Sequence, residues 1–93
     1  MGVIAYTLIR TSRHKIKELA NRIEKLLFVK EVTPVYGEYD IVIKTETESI
    51  RELNLFIYNH LRTMPGITMT TTMITAKIDK TSVENSSSSQ VSG

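Results

Sequence analysis

The chain has 93 residues, of which 41% are hydrophobic and 24% charged, a composition typical of one small soluble domain. The absence of cysteine excludes disulfides and thiolate catalysis, and no apolar run approaches the ~18 residues of a membrane span. The net charge is only +2 and the twelve basic residues are mixed with ten acidic ones, so we expect no direct DNA binding.

The first predicted element is a strand over residues 3–10, which is apolar on both faces. That pattern is typical of a central strand covered on both sides. Apolar residues then recur at helical spacing from about residue 12 to residue 27, and Thr11 or Ser12 can cap the helix start. The helix stripe consists of Ile16, Leu19, Ala20, Ile23, Leu26 and Leu27.

A β-hairpin is predicted around Gly37. The second strand, residues 29–36, contains Pro34, and proline places it at a sheet edge because it cannot donate to a ladder. Gly37 can adopt the positive φ of a tight turn, and the third strand follows over residues 39–45.

The second helix and fourth strand complete the domain. Ser49 and Glu52 match a capping box that opens a helix running to about residue 63, and Pro65-Gly66 ends it. Residues 67–78 form a threonine-rich strand. The serine-rich residues 81–93 have too little apolar content to fold, so we expect one domain over residues 1–80 and a disordered tail.

The order β-α-β-β-α-β predicts an α+β, ferredoxin-like fold. Right-handed crossovers and an edge strand at Pro34 give an antiparallel sheet in the order 4-1-3-2, with both helices on one face. The other face keeps an apolar set from the first strand, worth about 1.5–3 kcal/mol per large side chain if buried. We therefore expect at least a dimer, packed through this face or along edge strands.

Asp40 is the unusual residue of the hairpin, since it stands at the start of an otherwise apolar strand. A half-buried carboxylate destabilises the fold unless it meets a donor. Two interpretations stay open at this point: Asp40 bonds backbone amides of the turn, or it binds a ligand.

Two segments resemble the effector-binding (RAM) domain of the Lrp/AsnC transcription regulators. Residues 35–41, VYGEYDI, resemble its Gly-x-Tyr-Asp hairpin, and residues 61–72, LRTMPGITMTTT, resemble its Pro-Gly-Val-x-x-Thr-x-Thr segment. Residues 5–8 and 52–53 also fall where the family has its first strand and second helix. The resemblance extends over residues 3 to about 78.

The resemblance implies a small effector, usually an amino acid, bound at interfaces between dimers that assemble into tetramers or octamers. It implies that Gly37, Tyr39 and Asp40 form one wall of the site, and that Thr70 and Thr72 supply hydroxyls. An amino acid needs a carboxylate for its ammonium and donors for its own carboxylate, which these groups can provide. A strand rich in threonine is equally explained by strand propensity alone.

The sequence departs from the family in two places. The chain begins directly at the first strand, without the family's helix-turn-helix, so we interpret it as a stand-alone effector domain that regulates transcription indirectly and pairs with itself or with a helix-turn-helix regulator. The turn over residues 10–14 is basic where the family often has Pro-Gly, which leaves the ligand's identity open.

Two other functions fit the same topology. One is a dimeric α/β-barrel enzyme, which would need an acid, base or haem ligand on the open sheet face. The only histidines, His14 and His60, fall in helical stretches and are interpreted as surface residues, and no catalytic or metal-ligand spacing is visible. We therefore expect no enzyme and no cofactor, in a cytoplasmic protein without a signal peptide. The other alternative is a pure assembly partner for a helix-turn-helix paralogue.

Overall fold

The computed structural model describes residues 2–12 and 16–76, and these form the expected β-α-β-β-α-β order. The elements are β1 (Val3–Thr11), α1 (Ile16–Glu24), β2 (Val29–Pro34), β3 (Ile41–Thr47), α2 (Ile50–Phe56), a π-helical turn (Ile57–Leu61) and β4 (Ile67–Ile74). The predicted tail over residues 81–93 lies outside the described residues.

The sheet has the predicted topology. Its strands lie in the order β2-β3-β1-β4, and all three neighbouring pairs are antiparallel. Pro34 ends the edge strand β2, in agreement with the inability of proline to donate to a ladder. The central strands β1 and β3 are joined from the pair Val3–Thr47 to the pair Ile9–Ile41. The ferredoxin-like fold inferred from the sequence is thus confirmed.

The core lies between the two helices and one face of the sheet. Alternate residues of β1 and β3 are buried there, and α1, α2 and the π-helical turn cover them. The buried apolar residues are Ala5, Ile9, Leu19, Ile23, Ile41, Ile43, Leu53, Phe56, Ile57 and Leu61. Within the described part of the chain, no helix is long and apolar enough to cross a membrane.

Several predicted boundaries were wrong. The hairpin is not a tight turn: Val35 N–H donates to the Asp40 carbonyl at 2.9 Å, so residues 36–39 form a loop and β3 begins only at Ile41. Gly37 nevertheless has the expected positive φ, 128°. The first helix ends at Glu24, and Leu27 is 82% exposed because it lies in the following turn instead of on the apolar stripe.

The second helix contains a π-helical turn that the sequence did not reveal. The Arg62 amide donates to the Ile57 carbonyl at 2.8 Å, five residues back, where an α-helix would bond four residues back. Ile57 and Leu61 stay buried across this turn, whereas Tyr58 is exposed. The apolar face of the helix thus stays on the core, while Tyr58 and Arg62 lie on its outer side.

Ser49 caps α2 as predicted. The Glu52 amide donates to Ser49 Oγ at 3.1 Å, and Glu52 Oε1 accepts from the Glu48 amide at 2.8 Å. Ser49→Ala should lower the free energy of unfolding by about 1 kcal/mol, because it leaves an amide of the first turn without its acceptor. Ser49→Asp should retain the stability, since Asp caps equally well. Urea unfolding of both variants measures this, and an unchanged midpoint for Ser49→Ala would contradict it.

The sheet face opposite the helices, called the open face below, carries no covering element within the described residues. It presents Tyr6, Leu8 and Arg10 from β1, Val42, Lys44 and Glu46 from β3, and Met69, Thr71 and Met73 from β4. Met69 is 48% and Met73 52% exposed. Apolar side chains of this size are usually buried in a small soluble domain, so the open face is suited to contact with another surface.

Candidate functional site

Asp40 is buried at the end of the hairpin loop, with 8% of its surface exposed. Its Oδ2 accepts hydrogen bonds from the Thr11 amide at 2.8 Å and from Thr11 Oγ1 at 3.1 Å, and its own amide donates to the Ile9 carbonyl at 2.8 Å. The carboxylate therefore holds the end of β1 against the loop. This is close to the first of the two interpretations left open by the sequence, although the amide belongs to β1 and not to the turn.

A cavity of about 450 Å³ lies beside Asp40. Among the described residues, its other lining residues are Ile16, Pro34, Val35 and Tyr36, which are largely apolar. A volume of this size is within the range of small-molecule sites in proteins. The combination suits a ligand that joins a positive charge to an apolar group.

Gly37 lies at the tip of the loop and is exposed. A Cβ at this position would meet no atom within 4 Å, so packing does not require glycine. The φ of 128° does require it, because a side chain is strained in that conformation. Gly37 thus shapes the loop that carries Tyr39 and Asp40 to the sheet.

Tyr39 lies on the open face, on the opposite side of the sheet from Asp40. Its hydroxyl is 3.1 Å from Thr71 Oγ1, and the Arg10 guanidinium stands 5.5 Å from the centre of its ring. Arg10 Nε also donates to the Glu38 carbonyl at 2.9 Å, which ties the loop to β1. Of the basic turn predicted over residues 10–14, Arg10 and Thr11 belong to β1, and residues 13–15 are outside the described part.

Thr70 and Thr72 face the helices. They line a cavity of about 180 Å³ together with Asn54, Ile57, Tyr58 and Arg62. The Thr72 hydroxyl also lies 2.9 Å from the Thr7 hydroxyl on β1. The two threonines therefore present hydroxyls to a small polar cavity at the edge of the sheet, between β4 and the second helix.

The five predicted site residues do not line one cavity in a single copy of the chain. Asp40 precedes β3, Thr70 and Thr72 lie on β4, and β1 runs between these strands. Two strand spacings amount to about 10 Å, so Asp40 and the threonines occupy separate cavities on the helix side. Tyr39 belongs to neither, because its side chain lies on the open face.

Three neighbours of these residues were missed by sequence reasoning. Thr11, assigned only a possible capping role, bonds Asp40, and Thr71 bonds Tyr39 in place of Thr70 or Thr72. The strict alternation of a strand could have identified Thr71, since Thr70 and Thr72 share the face opposite to it. Arg62 was assigned no role, and only the helix geometry brings it to the threonine cavity.

The histidines contribute no reactive cluster that the structure describes. His60 is exposed and stacks near Phe56, with ring centres 6.2 Å apart, while His14 lies outside the described residues. Within residues 2–12 and 16–76 no group of three or more His, Cys, Asp or Glu is placed to hold a metal ion.

Comparisons with known proteins show the family to which this fold belongs. A family model described as the Lrp/AsnC ligand binding domain matches residues 4–84. The HTH-type transcriptional regulator FL11 of Pyrococcus abyssi is 34% identical over 83 residues, which are 89% of this chain and 54% of the relative. The chain thus spans about half the length of the curated relatives it matches.

Solved structures show the same fold. The hypothetical protein PHS023 from Pyrococcus horikoshii is 40% identical, with a TM-score of 0.74 and coverage of 84% of this chain and 93% of that one. Escherichia coli AsnC is 27% identical, with a TM-score of 0.75 and coverage of 82% and 52%. Both proteins therefore contain the four-stranded sheet and helices described above.

Proposed function

Since the chain belongs to the family of Lrp/AsnC ligand-binding domains, we propose that it binds an amino acid effector and regulates transcription indirectly, through ligand-dependent assembly. The observation that carries the proposal is the buried carboxylate of Asp40 beside an apolar cavity of about 450 Å³. Asp40 would bind the ammonium group of the effector, and the cavity wall would contact its side chain. Charge-assisted hydrogen bonds of this kind are among the stronger polar contacts in proteins.

The geometry of one copy supports a site shared between copies. Asp40 lines the larger cavity, Thr70 and Thr72 line the smaller one, and the central strand β1 runs between the strands that carry them. A single copy therefore does not present both groups in one cavity, whereas two copies in contact can. The proposed effector thus links binding directly to assembly.

The open face provides a surface for the first step of that assembly. Tyr6, Met69 and Met73 are exposed on it, and Leu8 lies partly buried at its centre. Burying large apolar side chains stabilises by about 1.5–3 kcal/mol each. A dimer formed through this face would cover apolar surface that a single copy leaves in water. Tetramers or octamers would then join dimers through the surfaces that carry Asp40 and the threonines.

A second candidate is a partner for a longer regulator of the same family. The observation in its favour is that curated relatives are named helix-turn-helix-type regulators and that the chain matches about half of their length. A shared open face would allow the two to form a mixed dimer. Mixing the chain with such a regulator and measuring the mass of the complex by light scattering separates this role from self-assembly, because only a partner gives a hybrid species.

A thermal-shift screen against the twenty amino acids tests the effector proposal. A ligand present at 100 times its dissociation constant should stabilise the folded protein by about 2.7 kcal/mol, because it binds only the folded state. This should raise the melting temperature by several degrees in a domain of this size. The N-acetyl derivative of the same amino acid is the matched control and should give no shift. No response to any of the twenty would refute the effector assignment.

A further inference from the structure

The cavity between the second helix and β4 has a composition that suits an anion. Among the described residues, its lining groups with polar atoms are Arg62, Asn54, Tyr58, Thr70 and Thr72, and none of these described residues is a carboxylate. All of these groups can donate hydrogen bonds, and Arg62 carries a positive charge. A ligand group that accepts several hydrogen bonds and carries a negative charge is therefore complementary to this cavity.

Arg62 is held in position by Tyr58. The guanidinium carbon lies 5.1 Å from the centre of the Tyr58 ring, a distance at which a cation is attracted to the ring face. Stacking on an aromatic ring leaves the edge of the guanidinium, with its N–H groups, available for a planar partner. Tyr58 thus supports Arg62 on the rim of the cavity while the threonine hydroxyls form the opposite wall.

Tyr58 and Arg62 are four residues apart, so helical spacing places them on the same face, and the segment between them is the π-helical turn. It begins at Ile57 and closes with the bond from the Arg62 amide to the Ile57 carbonyl at 2.8 Å. Such turns arise where a residue is added to a helix, and they occur frequently at functional sites. Here Ile57 and Leu61 remain in the core, so the irregularity has its main effect on the exposed side of the helix.

The size of the cavity limits its occupant. About 180 Å³ is below the range of about 300–1,000 Å³ that is usual for complete small-molecule sites. The cavity therefore has room for a small anionic head group but not for a larger ligand. A carboxylate matches both the volume and the fork of a guanidinium, which can bind its two oxygens at once.

We propose that Arg62, supported by Tyr58, is the residue that binds the effector's carboxylate, with Asn54, Thr70 and Thr72 as additional donors. This rests on the proposed function, since it assumes an amino acid effector. Asp40 of one copy then takes the ammonium group, and Arg62 of a contacting copy takes the carboxylate. The site therefore binds a compound that carries both charges more tightly than a ligand that lacks either one.

The test combines changes in the protein and in the ligand. Affinities of the full chain are measured by calorimetry for each of the twenty amino acids and for the corresponding amino acid amides, which keep the ammonium group but lack the carboxylate charge. Arg62→Gln should weaken amino acid binding by about ten- to hundredfold, as expected for loss of a hydrogen bond to a charged group. The affinity for the amide should stay the same in wild type and variant.

Two controls make the result specific. Arg51→Gln removes the same charge from an exposed position on the same helix and should leave amino acid affinity unchanged. Arg62→Lys keeps the charge but loses the planar fork, so it should recover only part of the affinity. In addition, the Nε–H signal of Arg62 is followed by NMR during titration with acetate, and the signal of Arg51 serves as the internal reference.

The outcomes separate this inference from the proposed function. Amino acid binding that is equally tight in wild type and Arg62→Gln would overturn the role of Arg62 and leave the effector proposal standing. If no amino acid binds but acetate shifts the Arg62 signal saturably, the carboxylate pocket stands and the effector proposal fails. If neither an amino acid nor acetate binds, both are overturned.

Discussion

Asp40→Asn is expected to weaken amino acid binding by about 2–5 kcal/mol, the usual result of removing one partner from a desolvated charge pair. The variant keeps the shape of the side chain and an oxygen that can accept from Thr11, but it loses the charge that the ammonium group requires. Calorimetry on the folded variant measures the effect. Light scattering should show at the same time that the amino acid no longer shifts the distribution of oligomers, because binding and assembly are linked.

The structural role of Asp40 requires its own control. Both Thr11 donors bond Oδ2, so some stability is lost in Asp40→Asn for reasons unrelated to a ligand. Thr11→Val removes one of these donors while the carboxylate stays in place. It should lower the free energy of unfolding by about 1.5–3 kcal/mol, as for a hydrogen bond to a charged group, and leave affinity nearly unchanged. If Asp40→Asn also left affinity intact, Asp40 would serve the fold alone.

Much of the fold followed from the sequence because single residues impose strong local constraints. Pro34 marked an edge strand since it lacks an amide hydrogen, and Gly37 marked a positive φ since it lacks a Cβ. The spacing of Ser49 and Glu52 predicted the start of α2. The alternation of β1 predicted two apolar faces without indicating which one the helices cover, and in the structure Ala5, Ile9, Ile41 and Ile43 are the residues buried beneath them.

The candidate site was harder to predict from the sequence than the fold, because its contacts join residues far apart in the chain. The bond between Asp40 and Thr11 depends on the register of β1 against β3, and the one between Tyr39 and Thr71 reaches across to β4. The register of two strands is fixed by the packing of the whole strands, so a local sequence pattern does not predict it. The π-helical turn that ends beside Arg62 is likewise not visible in the local pattern, since Ile57 and Leu61 keep the spacing of an ordinary helix in the sequence.

Leu8→Asp is expected to convert the proposed dimer into single copies. Leu8 lies at the centre of the open face, paired with Val42 of β3 on one side and Thr71 of β4 on the other. If the open faces of two copies meet, the new carboxylate is buried without a partner, which costs about 3–5 kcal/mol per uncompensated charge. The dimer dissociation constant should then rise by two or more orders of magnitude, which analytical ultracentrifugation over a concentration series measures.

The same substitution should do little to a single copy, and this makes the experiment decisive about the open face. On an isolated sheet this partly buried position still contacts water, so the aspartate stays hydrated and far-ultraviolet circular dichroism should be that of a folded domain. Leu27→Asp is the matched control: Leu27 is 82% exposed in the turn after α1, away from the open face, and its replacement should leave the oligomer intact.

Retention of the dimer by Leu8→Asp would instead place the contact along the edge strands β2 or β4. The proposed effector site lies between dimers, on the helix side of the sheet, so Leu8→Asp should weaken amino acid binding only through the loss of the dimers that build the higher assembly, with Asp40 and Arg62 both unchanged.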